Sequence, residues 1–238
     1  MKFLNWLIVL ISTTFGKLHW PYNKKEFDLD YFYEIETKIK EMDIPFCTVL
    51  TKTNGYGSNF LIWISQLVSK SEKKRNCPIT HVINQYLVED DKCYVAESVG
   101  KGITKNSLLK SIGQKDRVII RIPNPDLLPK EVVENALVYI EAVIKRDSIK
   151  NIEYDNEHVY EIITLEELKD LTLAVQMDCS ELLFQALTHG FTSQNLDSRI
   201  VMENRMGKNT WIPADVYSSP LFIDFFDSRK GFVSNNLF

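Results

Sequence analysis

Two strand-like runs separated by a short acidic turn constrain this chain more than any other feature. Residues 79–88 and 93–99 are rich in β-branched and aromatic side chains, and Glu89-Asp90-Asp91-Lys92 joins them. Such a pair closes into an antiparallel hairpin. Further strands are expected over residues 46–51 and 117–122, the second closed by Pro123. Around these runs the apolar period changes to that of a helix. Tyr31, Tyr33, Ile35 and Ile39 mark one helix over residues 28–41. Val132, Val133, Ala136, Leu137, Ile140, Val143 and Ile144 mark another, from Pro129 at its first turn to about Arg146. Shorter helices are expected over residues 59–68, after the turn at Asn54-Gly55-Tyr56-Gly57-Ser58, and at the capping box Thr164-x-x-Glu167. A last one runs from near Asp178 to about Gly190, and the remainder to Phe238 is mixed. The fold class is α+β, with a meander-like antiparallel sheet and segregated helices.

Composition bounds what the chain binds. Its 238 residues are 45% hydrophobic and 25% charged, which suits one large domain or one domain with extensions. A net charge of −4 opposes a phosphate-binding face, and Lys73-Lys74-Arg75 beside Glu72 reads as a solvated loop. No nucleic-acid partner is expected. The four cysteines, Cys47, Cys77, Cys93 and Cys179, include no Cys-x-x-Cys pair and have no spaced histidine partners. Neither a metal site, another cofactor nor a disulfide scaffold is expected. At the N-terminus, Lys2 precedes an apolar run over residues 3–11 that resembles a signal-peptide core. It is shorter than the roughly 20 residues a spanning helix needs, so no membrane partner is expected. Leu4, Leu7, Ile8, Ile11, Phe15 and Leu18 also fall at helical spacing, and a packed helix over residues 1–22 is the preferred reading. If residues 1–16 act as a leader instead, the chain is secreted or periplasmic.

One cysteine stands in a context that favours reactivity. In Asp178-Cys179-Ser180-Glu181-Leu182-Leu183-Phe184, Asp178 fits the N-cap and Glu181 the third position of a helix. Cys179 then falls at the first helical position. Unpaired N–H groups and the positive helix end favour a thiolate there, and the same N–H groups suit a developing oxyanion. Asp178 acts against the thiolate, and a buried structural cysteine is the plain alternative. A thiol nucleophile needs a base, and the histidines are His19, His81, His158 and His189. His81 lies early in the first hairpin strand. The second strand offers Glu97, within Tyr94-Val95-Ala96-Glu97-Ser98, as a carboxylate to orient the imidazole. An ordinary strand histidine and an exposed strand glutamate are the alternatives.

Together these residues match a known pattern. Leu50-Thr51-Lys52-Thr53-Asn54-Gly55, Thr80-His81-Val82, Val95-Ala96-Glu97-Ser98-Val99-Gly100-Lys101-Gly102-Ile103, Arg117-Val118-Ile119-Ile120-Arg121 and Cys179-Ser180-Glu181-Leu182-Leu183 resemble the YiiX-like family. Those proteins are circularly permuted relatives of the NlpC-type papain-like hydrolases. The resemblance is good over about residues 43–122 and 178–187. It implies a circularly permuted papain-like fold in which the order is histidine, acidic residue, then cysteine on a helix. It further implies a thiol hydrolase of amidase or endopeptidase type, with Cys179, His81 and Glu97 catalytic and cell-wall peptide as the substrate class. Related permuted folds imply a lipid acyltransferase or thioesterase as a rival. The flanks, Trp6-Leu7-Ile8 and Pro213-Ala214-Asp215-Val216-Tyr217 among them, are similar to phage and prophage members. That implies phage virion proteins as partners and a phage-associated or host-cytoplasmic location, and it makes a non-catalytic phage protein the alternative of a different class. The domains follow: 1–42 a helical extension, 43–190 the permuted papain-like catalytic domain, 191–238 a C-terminal extension packed on it. Met42-Asp43-Ile44-Pro45 departs from the Gly-Asp with which the family opens its first strand.

Register makes the Glu97 assignment testable. Strand side chains alternate faces, and residues paired across an antiparallel hairpin keep a constant index sum. With the four-residue connection, Val88 pairs Cys93 and the sum is 181, which sets Glu97 on the face away from His81. An odd connection, or a β-bulge, changes the sum to 180 or 182 and puts both on one face. Catalysis by this pair therefore predicts an odd connection or a bulge between them.

Overall fold

The computed structural model describes residues 27–52, 66, 77, 79–89, 92–99, 102–113, 115–150, 179–198 and 211–233. The strands are β1 (Cys47–Lys52), β2 (His81–Glu89), β3 (Lys92–Val99), β4 (Gly102–Ser107), β5 (Arg117–Pro123), β6 (Phe222–Asp227) and β7 (Gly231–Phe232). The helices are α1 (Asp30–Glu41), α2 (Leu108–Ile112), α3 (Lys130–Lys150), α4 (Glu181–Ser193) and α5 (Pro213–Ser218). All seven strands form one sheet in the order β4-β3-β2-β1-β5-β6-β7, and every neighbouring pair is antiparallel. The architecture is thus α+β around an antiparallel sheet, with β1 to β4 a meander.

The helices are not segregated to one face. β1 and β5 are buried along almost their whole length, so both of their faces need cover. On one face Leu50, Val82, Ala96 and Ile119 pack with Val132 and Ile140 of α3 and with Leu183 and Phe184 of α4. On the other, Val49, Ile83, Val95 and Ile120 pack with Phe32, Ile35 and Ile39 of α1 and with Leu108 and Ile112 of α2. The apolar stripe of α1 therefore runs through Phe32, while Tyr33, expected inside, is 70% exposed.

The helices expected over residues 1–22 and at the Thr164 capping box lie outside the described residues, as do Asp178 and the turn at 54–58. Of the helix expected over 59–68, Gln66 is described and is helical. β4, α2 and the strands β6 and β7 are elements that the sequence reading did not anticipate. β6 pairs with β5 across Pro123↔Phe222 to Ile119↔Asp227, so the stretch after residue 190 contributes strands to the sheet itself. Arg121, buried on β5, ties that stretch down. It donates to the carbonyls of Val216 (2.9 Å), Ser219 (3.0 Å) and Phe222, and pairs with Asp224 at 2.7 Å. α3 and α4 cross closely at Gly190, where a Cβ would stand 2.3 Å from the Val132 carbonyl oxygen.

Candidate functional site

The hairpin register decides which side chains meet. At the turn end Val88 pairs with Cys93 and Glu89 with Lys92, an index sum of 181. Beyond Tyr86 the pairing is Gln85 with Val95 and Asn84 with Ala96, a sum of 180. Tyr86 is the additional residue of a β-bulge, and its ring is buried in the α3/α4-side core. The bulge resets parity, so His81 and Glu97 share the sheet face that α1 and α2 cover. The two meet there, with His81 Nε2 at 2.9 Å from Glu97 Oε1.

Glu97 is the hub of a larger polar cluster. Ser111 of α2 donates its hydroxyl to Glu97 Oε2 at 2.9 Å, and Lys115 Nζ lies 3.7 Å from Oε1. Thr104 on β4 donates to the Glu97 carbonyl oxygen at 3.3 Å. The side chains of His81 and Glu97 are only 12% and 8% exposed. Burial pushes the Glu97 carboxyl pKa up, but the hydrogen bond and charge of His81, the charge of Lys115 and the Ser111 hydroxyl outweigh it. The result lies below the ordinary value, so the carboxylate form is favoured. A carboxylate only accepts, so Nε2 carries the proton of that bond, and the neutral ring then has Nδ1 as its basic atom. An imidazole held in this way can take a proton through Nδ1. Ser111 and Lys115 were not singled out from the sequence. The available signal was the start and stop pattern of α2, in which Ser107 caps the helix by accepting from the Lys110 N–H and Gly113 closes it.

Cys179 stands elsewhere. It is 1% exposed and belongs to the core cluster with Leu50, Val82, Leu182 and Leu183, on the α3/α4 side of the sheet. β1 and β2 pair without irregularity from Cys47↔Gln85 to Thr51↔His81, so His81 shares its face with Ile83, a member of the opposite cluster. The structure brings His81 and Glu97 together and places Cys179 in the core of the other face. Cys179 also precedes the helix rather than opening it. α4 starts at Glu181, and Ser180 at its cap donates its hydroxyl to the Trp211 carbonyl oxygen at 2.8 Å while its side chain accepts no bond from the helix N–H groups. Glu181, expected to close a capping box, accepts at 2.9 Å from Gln185, which in turn accepts at 2.6 Å from the Tyr139 hydroxyl of α3. His189 lies far along α4, its ring 5.3 Å from that of Tyr139, and His19 and His158 lie outside the described residues.

Among the described residues no group of three or more His, Cys, Asp or Glu side chains is placed to hold a metal ion. No helix of those residues is long and apolar enough to cross a membrane. Compared with known protein families, curated proteins and solved structures, the chain matches none.

Proposed function

We propose that this protein is a cysteine-dependent amide or peptide hydrolase of the circularly permuted papain-like kind. The observation that carries the reading is the buried His81–Glu97 pair, a carboxylate fixing one imidazole nitrogen and leaving the other for chemistry. In this reading Nδ1 of His81 takes the Cys179 thiol proton, and the thiolate attacks the substrate carbonyl carbon. The tetrahedral intermediate expels the amine, which leaves with the proton from His81. A water molecule then attacks the acyl-enzyme, returning a proton through His81, and the carboxylic acid departs as the thiol is restored. Cell-wall peptide is the proposed substrate class, and an acyl ester or thioester is its nearest rival.

The second reading is a non-catalytic phage structural or binding protein that keeps the fold. It is favoured by one observation: Cys179 lies in the core of the sheet face opposite His81. There Cys179 is a buried structural cysteine, and Glu97 ties β2 and β3 to α2.

Iodoacetamide labelling of the folded protein, read by peptide mass spectrometry, separates the two. Burial holds the Cys47 thiol pKa well up and Cys93 at about 12, so both should label slowly. The hydrolase reading expects Cys179 to label before Cys47, Cys77 and Cys93, and His81→Ala to slow it. If two or more of the others label first, Cys179 is not the nucleophile.

A further inference from the structure

A concave region outside the His81–Glu97 site lies at the other end of β1. It is a cleft of about 610 Å³, a size typical of ligand pockets. His81 pairs with Thr51, whereas the cleft begins at Pro45, about 20 Å away along the strand at roughly 3.3 Å per residue. Its walls are apolar: Ile44, Pro45, Ile122, Pro123, Val133 and Ile223. Two of these are prolines with fixed φ, and three others come from paired strands or the first turns of α3, so the trough is formed before any ligand arrives.

The charges at its mouth select the ligand. Asp43, Lys130 and Glu134 line the cleft. Lys130 and Glu134 answer one another across one helical turn at 3.7 Å. Asp43 has no ion pair among the described residues. A left-handed backbone (φ 48°) and a hydrogen bond from its N–H to the Lys40 carbonyl hold it just past α1. The mouth therefore carries a net negative charge centred on Asp43, above an apolar trough.

We propose that this cleft binds a single-chain aliphatic ligand with a cationic end, the chain in the trough and the cation against Asp43. The inference goes beyond the hydrolase reading and does not depend on it. Binding of octylammonium and of octanoate to the full chain, each below its micelle concentration, tests it by isothermal titration calorimetry. Octylammonium should bind more tightly than octanoate. Affinity should rise about fourfold for each methylene from butyl to octyl while the trough fills. Asp43→Asn should weaken octylammonium about two- to fivefold, the scale of an exposed ion pair, and leave octanoate unweakened. Ile223→Trp should block both probes, with its fold checked by thermal melting; if that variant does not fold, Val133→Phe replaces it. The proposal is overturned if neither probe saturates, if octanoate binds as tightly as octylammonium, or if the filled cleft binds as before.

Discussion

Glu97→Gln is the substitution that isolates charge from shape at the polar cluster. Gln keeps a carbonyl oxygen for His81 Nε2 and an amide that can pair with the Ser111 hydroxyl, so both 2.9 Å contacts survive as neutral bonds. Hydrogen bonds to an ionised group are roughly twice as strong as neutral ones, so each contact should lose about 0.5–1 kcal/mol. The attraction of Lys115 at 3.7 Å is lost as well. The expected cost is about 1–2 kcal/mol of unfolding free energy at neutral pH, read by urea denaturation. The pH dependence follows from the direction of the shift. The folded-state pKa of Glu97 is lowered, so its contribution is full above the unfolded value, about 4.3, and fades as pH falls through the lower folded value. Gln does not titrate, so the gap between the two proteins, present at neutral pH, should close as acid takes Glu97 from below its unfolded value through its lower folded value. Coincident unfolding curves at neutral pH, or a gap that persists undiminished in acid, would refute this account of the cluster.

Two further substitutions test the frame that holds the site. Gly190→Ala places a Cβ 2.3 Å from the Val132 carbonyl oxygen and must push α3 and α4 apart. The helix-propensity gain of about 1 kcal/mol offsets part of the overpacking, and a net loss of about 1–3 kcal/mol is expected by chemical denaturation. A variant as stable as the parent would count against the close crossing. Arg121→Met strips the donors from the carbonyls of Val216, Ser219 and Phe222 and removes the ion pair with the half-exposed Asp224. A loss of about 2–4 kcal/mol is expected from the carbonyls that lose their donor, seen as a lowered melting temperature, and a change under 1 kcal/mol would show that the C-terminal strands do not need this anchor.

What the sequence disclosed, and what it withheld, divides along local and non-local lines. The strands at 47–52, 81–89, 92–99 and 117–123 and the helices at 30–41, 130–150 and 181–193 follow from apolar period and capping residues, which act within a few residues. β6 was illegible because Phe222-Ile223-Asp224-Phe225-Phe226-Asp227 does not alternate cleanly. It carries a register shift opposite Ile120 and Arg121, so its apolar residues do not keep one face. The covering of both sheet faces was written only faintly, in the near-continuous apolar runs of β1 and β5. Parity behaves differently again. From the sequence alone, a bulge or an odd turn was required if His81 and Glu97 were to meet, yet neither residue type nor propensity marks Tyr86 as the place. The bulge falls at Tyr86, whose ring is buried on the α3/α4 side with Val82. The same parity that joins His81 to Glu97 also turns His81 away from the face where Cys179 packs. Placing His81 on the Cys179 side by moving one residue in β2 would part it from Glu97, unless β3 shifted with it. A thiol–imidazole–carboxylate array in this chain therefore requires Cys179 to reach Nδ1 around the His81 end of β2, with the hairpin register unchanged. That is why the reactivity of Cys179, and its dependence on His81, carries more weight than any further property of the Glu97 cluster.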